Sequence, residues 1–262
     1  MEDNSITKIT KIELPRLGEL NFNSSDKPLG GINPNHLSFK IIGQQYFKLL
    51  IEHAGLQTSY RVLDVGCGTG RLALPLSNFF DKGNYRGLDN NKKYIDYCKS
   101  TYPKEFTFDH INVQHDEFNP NGNINPISIE FPYKNCSFDI VVALGLFNHF
   151  KLNWSAQYIR QISRVLKPRG IFFGTFILLN QLSMTYIESK KVKKPFRFQF
   201  KNSDGWSEYE DRPLLNNALP EQALRRVLIR SSLMIREPIR YGQWCDSKLA
   251  LTGHDIIIAK KN

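Results

Sequence analysis

Apolar positions along the chain fall into two kinds of run. In "SFKIIGQQYFKLLIEHAGL", residues 38–56, Phe39, Ile42, Tyr46, Leu49, Leu50 and Ala54 recur near helical spacing and stop at Gly55, which predicts an amphipathic helix. From there short buried runs alternate with helical patterns. "RVLDV" reads as a strand, "RLALPLSNFF" as a helix ended by "DKGN", and "YRGLD" as a second strand. The helix "NKKYIDYCKSTY", stopped at Pro103, leads to a third strand "FTFDHINV" and a fourth, "FDIVVAL". A helix "SAQYIRQISRVL", broken by "KPRG", precedes a fifth strand "IFFGTFILL". After a helix "PEQALRRVLIRSSL" with Pro220 in its first turn, "MIREPIRY" and "HDIIIAKK" read as two final strands. Strand and helix alternating at this spacing imply a parallel sheet wound by right-handed crossovers.

Three stretches break the alternation. Residues 1–37 are rich in Pro, Gly, Asn and Ser and read as an N-terminal arm ahead of a single α/β domain, 38–262. Residues 114–137 form a connection far longer than usual. Residues 181–219 carry "KKVKKPFRFQF" and "DGWSEYED" with little periodicity and read as an insertion.

Charge adds a basic surplus, 35 Lys and Arg against 25 Asp and Glu, net +10, leaning toward the C-terminal third. Such a surplus suits an anionic substrate or RNA, and equally a solvated lysine-rich surface. Cys67, Cys98, Cys136 and Cys245 form no CxxC pair and no Cys/His cluster at zinc spacing, so no metal is expected and the thiols read as reduced. "MEDNSITKITKIELPRL" lacks the apolar core of a signal peptide, and no run approaches the ~20 apolar residues of a membrane helix. The expectation is a soluble, cytoplasmic protein with no membrane partner.

The chemistry concentrates in "RVLDVGCGTGR", 61–71. A dinucleotide loop spaces its glycines G-x-G-x-x-G and sets a helix N-terminus against a pyrophosphate. Here the glycines are Gly66, Gly68 and Gly70, Arg71 stands at the place of the third fingerprint glycine, and Asp64 precedes the turn. An acid there repels a phosphate and suits a ligand with a cationic end, whose carboxylate the following helix N-terminus can face. Asp89, ending the next strand, fits a ribose-binding acid, or alternatively the N-cap of "NNKKYIDY".

These residues carry a resemblance. "VLDVGCGTGR" resembles the first motif of class I S-adenosylmethionine-dependent methyltransferases, of the small-molecule type, and "YRGLDNN" their ribose-binding second motif. "FDIVVALGLFNHF" is similar to the fourth motif and "ISRVLKPRG" to the helix and turn before strand five, so the likeness covers about residues 40–180, and "HDIIIAKK" matches the last strand. The resemblance implies a Rossmann-like fold: a seven-stranded, mostly parallel sheet with the last strand antiparallel and helices on both faces. It implies S-adenosylmethionine as cofactor, S-adenosylhomocysteine as product, and methyl transfer to an oxygen, less readily a nitrogen, of a small acceptor that the basic surplus allows to be anionic.

By the same resemblance, Gly66, Cys67, Gly68, Gly70 and Arg71 surround the amino-acid part of the cofactor, Asp64 contacts its amino group and Asp89 its ribose. Asn112 stands where an acid commonly bonds the adenine amino group, Leu88, Asn90 and Val113 line the adenine pocket, and Leu144 and Gly145 close strand four beside the sulfonium. Arg169 replaces the glycine usual in "KPGG". His149 is the candidate general base for a hydroxyl acceptor, its rival role being to hold the loop. The 181–219 insertion matches segments that form substrate lids. Its Tyr186, Phe196, Phe198, Phe200, Trp206 and Tyr209, with Trp244 and Asp246, either wall an acceptor pocket or bury one another. Two other functions stay open: an RNA-directed methyltransferase, against which stand the absence of an appended RNA-binding domain and "LGLF" where a base-methylating tetrad would lie, and a non-catalytic cofactor-binding scaffold.

Overall fold

A computed structural model describes residues 37–80, 84–189 and 197–262; the N-terminal arm and most of the "KKVKKPFR" run lie outside the described residues. The chain forms two compact units, one ending at Ile111 and the other spanning Asn112–Asn262.

In the first unit, α1 (Leu37–Ala54) buries Phe39, Tyr46, Phe47, Leu49, Leu50 and Ala54, the face its periodicity foretold, and ends at Gly55. Strands β1 (Val62–Val65), β2 (Tyr85–Asp89) and β3 (Thr107–His110) pair in parallel, with Val62 opposite Tyr85 and Arg86 opposite Thr107. The helix expected over 71–80 contracts to α2 (Ala73–Leu76). Pro75 within it has no N–H to give, and the chain beyond tightens into three-residue turns, Ser77 N–H to Leu74 O and Phe79 N–H to Leu76 O. Helix α3 (Lys92–Thr101) is capped by Asn91, whose side chain accepts from the Tyr94 N–H.

The second unit continues with β4 (Phe138–Ala143), α4 (Leu152–Val165) and β5 (Leu166–Phe176), β4 and β5 being parallel. β5 starts five residues before the expected strand because "KPRG" is absorbed as an irregularity in the pairing, where Arg169 takes a left-handed φ of 65°. Then come β6 (Leu178–Leu179), α5 (Gln181–Glu188) with an Asn180/Ser183 capping box, β7 (Phe200–Lys201), β8 (Trp206–Ser207), β9 (Asn217–Pro220) and α6 (Glu221–Arg230). The chain closes with β10 (Leu233–Ile235) and β11 (Asp255–Lys261).

Seven strands run in the order β10-β11-β5-β4-β1-β2-β3, and β11 is antiparallel to both its neighbours. This is the mixed sheet expected from the sequence. The insertion, expected without periodicity, supplies most of a small second sheet in the order β6-β9-β8-β7. Among the described residues no helix is long and apolar enough to cross a membrane.

Candidate functional site

The glycine loop follows β1 directly. Gly66, Gly68 and Gly70 all hold positive φ (75°, 55° and 83°), a conformation that side chains resist. At Gly70 a Cβ would also stand 2.3 Å from a ring carbon of Tyr102, whose hydroxyl donates to the carbonyls of Thr69 and Gly70. The Gly66 and Cys67 N–H groups donate to Leu88 O at the end of β2. Leu88 and Cys67 are themselves buried. The Cys67 sulfur lies against Gly87, where an added Cβ would approach it to 2.8 Å, so its side chain packs against β2.

Asp89 clasps this loop. Its Oδ2 accepts from the Gly68 N–H and its Oδ1 from the Asn91 N–H, both at 2.8 Å, while Asn91 itself caps α3. The N-cap reading of Asp89 gives way, since Asn91 is the cap; Asp89 ties the loop to the end of β2 and keeps lone pairs for a ligand. Asn90 beside it is half-buried, its carbonyl facing His110 Nε2. Asp64, only 3% exposed, accepts from the Tyr85 hydroxyl at 2.8 Å, and burial pushes its carboxyl up to about 7 against that bond and the nearby Arg71. Arg71 places its guanidinium 6.0 Å from the Tyr46 ring centre. Burial lowers its pKa, with Tyr46 and Asp64 opposing.

Two carboxyls whose pKa burial raises, Asp64 and Asp89, border the loop, and a second anion beside either would meet like charge in a desolvated setting. A pyrophosphate does not fit that charge. A ligand that brings an ammonium and two hydroxyl donors does, so the residues present fit S-adenosylmethionine. The four-residue α2 has little dipole to offer a ligand carboxylate, which corrects the expected helix N-terminal contact.

In the second unit, Asn112 and Val113 open a loop closed by the Val113–Ile124 bridge. Asn119 Nδ2 donates to Asn112 Oδ1 (3.0 Å) and Val113 O (2.9 Å), so the Asn112 amide oxygen retains one free lone pair. Leu144 is buried, and Gly145, at φ 65°, donates its N–H to Thr175 Oγ1 at 2.7 Å.

His149 ends the short turn Phe147–His149 with both ring nitrogens engaged. Nδ1 lies 3.2 Å from Leu214 O, which can only accept, so this nitrogen carries the proton; Nε2 then accepts from Asn148 Nδ2 at 3.2 Å. His115 is fixed in the other tautomer: Nδ1 accepts from the Glu117 N–H and Nε2 donates to His149 O at 2.8 Å. Phe118 meets both rings, with centroids 4.9 and 4.8 Å away. Burial first, then the neighbouring His115, pushes His149 down to about 3. A lone pair already occupied on so weak a base argues against the general-base role and for the holding role. Glu117 also pairs with Arg212, tying the 112–124 loop to the segment before β9.

The aromatics of the insertion pack on one another. Trp244, 3% exposed, sets its ring edge-on to Phe198 and donates Nε1–H to Asp255 Oδ1 at 2.8 Å, in a cluster with Ile177, Ala218 and Cys245 against which Tyr186 and Trp206 lie. Trp244 is therefore core and not an acceptor wall, a correction whose cause is the buried Asp255. Tyr209 stands apart, 38% exposed, and Asp246 is exposed; Phe196 lies outside the described residues. Sequence reading missed Tyr85, His115, Asn148, Thr175 and Asp255. Of these Tyr85 and Asn148 lie inside quoted motifs, "YRGLDNN" and "FDIVVALGLFNHF", yet their partners could not be read from the sequence.

Residues 62–170 match a family model described as a methyltransferase domain. The 27-O-demethylrifamycin SV methyltransferase of Amycolatopsis mediterranei is 26% identical over 140 residues, covering 53% of this chain and 47% of that protein. The tRNA N(3)-cytidine methyltransferase of Danio rerio is 28% identical over 125 residues, 46% of this chain and 32% of the other. The chain thus spans half or less of the length of these curated relatives. A Pyrococcus horikoshii OT3 protein, PH0226, has a similar fold, with a TM-score of 0.61 at 15% identity over 92% of this chain and all of that one.

Proposed function

We propose that this chain, whose residues 62–170 match a methyltransferase-domain model, is a class I S-adenosylmethionine-dependent methyltransferase that methylates an oxygen of a small, anionic acceptor. The observation that carries the cofactor half of the reading is the glycine loop clasped by Asp89 and bordered by Asp64. When bound, S-adenosylmethionine supplies a methyl group activated by a positive sulfonium. The chain's own residues hold and orient: Asp64 takes the ligand's amino group, Asp89 a ribose hydroxyl, and the backbone of Gly66, Gly68 and Gly70 gives close approach. Asn112 keeps an acceptor lone pair for an adenine amino group. Methyl transfer demands alignment above all, and orientation can contribute roughly 7–11 kcal/mol of the barrier.

The acceptor half rests on the histidines. With His149 and His115 both neutral and fully engaged, neither offers a base, so an acceptor that arrives already deprotonated, a carboxylate or an acidic hydroxyl, suits the chain best. The basic surplus of +10 favours the same class by long-range attraction. We place Tyr186 and Trp206 in the support of this region and Tyr209, the exposed one, nearest to the acceptor.

The test is transfer of labelled methyl to paired carboxylates and alcohols of matched shape. Preference for the carboxylates supports the reading; preference for alcohols with an acidic limb in the pH–rate profile would overturn it. A second reading, methylation of tRNA, draws on the Danio rerio relative and the positive charge. Salt-dependent tRNA binding at physiological ionic strength would favour it.

A further inference from the structure

We propose that Tyr85 is a positioning residue of the cofactor site, whose hydroxyl holds one oxygen of Asp64 and thereby couples the arrival of a cationic ligand to the departure of a proton. The inference rests on the reading above, that Asp64 receives the amino group of the ligand.

The register of the sheet makes the contact. Asp64 lies opposite Gly87 on β2, and Tyr85 stands two residues before Gly87, so the two side chains share a face of the sheet. The Tyr85 hydroxyl donates to Asp64 Oδ2 at 2.8 Å. Its ring is fully buried, stacked on Phe106 with centroids 4.8 Å apart and tilted against Phe108 at 5.7 Å, so the hydroxyl has one place to be. This phenol fixes the aim of the carboxyl from behind.

The groups facing Asp64 decide its charge. Tyr85 on β2 and Arg71 after the loop favour the carboxylate; Asp89 at the end of β2 opposes it, and the Cys67 and Cys98 thiols contribute no cation. Burial outweighs the two favourable partners, leaving the carboxyl divided between its forms near pH 7. An ammonium brought to Asp64 favours the carboxylate, so the carboxylic acid fraction gives its proton to buffer as the ion pair forms. No other bond is made or broken. Removing the phenol hydroxyl takes away one of the two groups that hold Asp64 ionised, and therefore increases the fraction that must deprotonate on binding.

The experiment is calorimetric titration with S-adenosylhomocysteine, which carries the amino group but no methyl, at about pH 6 and about pH 7.5. Each is run in two buffers of different ionisation enthalpy, so that released protons are counted. Wild type should bind about eightfold more weakly at the lower pH, in proportion to its ionised fraction, and release part of a proton at the higher. Tyr85→Phe, which keeps the ring stack, should bind about threefold or more weakly than wild type at the higher pH and release more protons there. Asp64→Asn should show neither pH dependence nor proton release, with thermal unfolding confirming that each variant folds.

Tyr85→Phe matching wild type in affinity and proton count, or losing affinity by one factor at both pH values with the count unchanged, would overturn the coupling. Should that variant fail to fold, a wild-type affinity flat across the range overturns it equally. Wild type that binds nothing at either pH would sink the functional reading and, with it, this inference.

Discussion

Asp89 holds the Gly68 and Asn91 N–H groups with one carboxylate, and this economy makes the loop sensitive to single atoms. Gly70→Ala adds a methyl 2.3 Å from the Tyr102 ring at a φ of 83°. Strain and overpacking together should cost roughly 2–5 kcal/mol, read as a fall in the urea midpoint at constant slope. His149→Ala removes bonds to Leu214 O and from Asn148. It should lower thermal stability and turnover together while leaving the shape of the pH–rate profile intact; loss of an acidic limb would return His149 to the role of base. Asp64 carries a pH signature of its own. Its carboxyl is raised from 3.8 to about 7 on folding, so it contributes stability that is fully present below 3.8 and lost as pH rises through 7. Across that window Asp64→Asn should gain on wild type by on the order of 1.4 kcal/mol per pH unit, measured by denaturant unfolding at pH 5 and pH 8.

At the scale of elements, the sequence was most legible where patterns were long or motif-bound. "YRGLD" matches β2 residue for residue and "RVLDV" exceeds β1 by Arg61 alone, because buried apolar positions end at the glycine loop on one side and begin after a polar turn on the other. The failures have physical causes. "RLALPLSNFF" keeps helical spacing, but Pro75 withholds a donor and the segment forms one turn. The strands β6, β7 and β8 are two residues long, too short for any alternation to register. Trp244 looked available because its partners, Phe198 and Asp255, are remote in sequence. The same remoteness hid Tyr85 from Asp64. The small sheet should depend on this cluster. Trp244→Ala empties a ring-sized space and orphans a bond to Asp255, which also accepts from the Gly242 and Leu178 N–H groups. We expect a loss of about 3–5 kcal/mol and faster amide exchange over 198–219 than over β1 and β2.

On the scale of the whole molecule, a mixed seven-stranded order, a glycine loop with two flanking carboxyls and a methyltransferase-domain match over 62–170 converge on one cofactor. The proposed choice of acceptor is a separate matter, argued from the second unit, where two neutral histidines hold the 112–124 loop and the 147–149 turn in place. What unites the account is that a clasped glycine loop binds S-adenosylmethionine, and the most direct measurement is calorimetric binding of S-adenosylhomocysteine to wild type and to Asp89→Ala at neutral pH. The account predicts a dissociation constant in the micromolar range for wild type and a loss of about tenfold or more in the variant, as expected for removing hydrogen bonds to a charged group. Absence of binding heat in wild type, or equal affinity in both proteins, would contradict it.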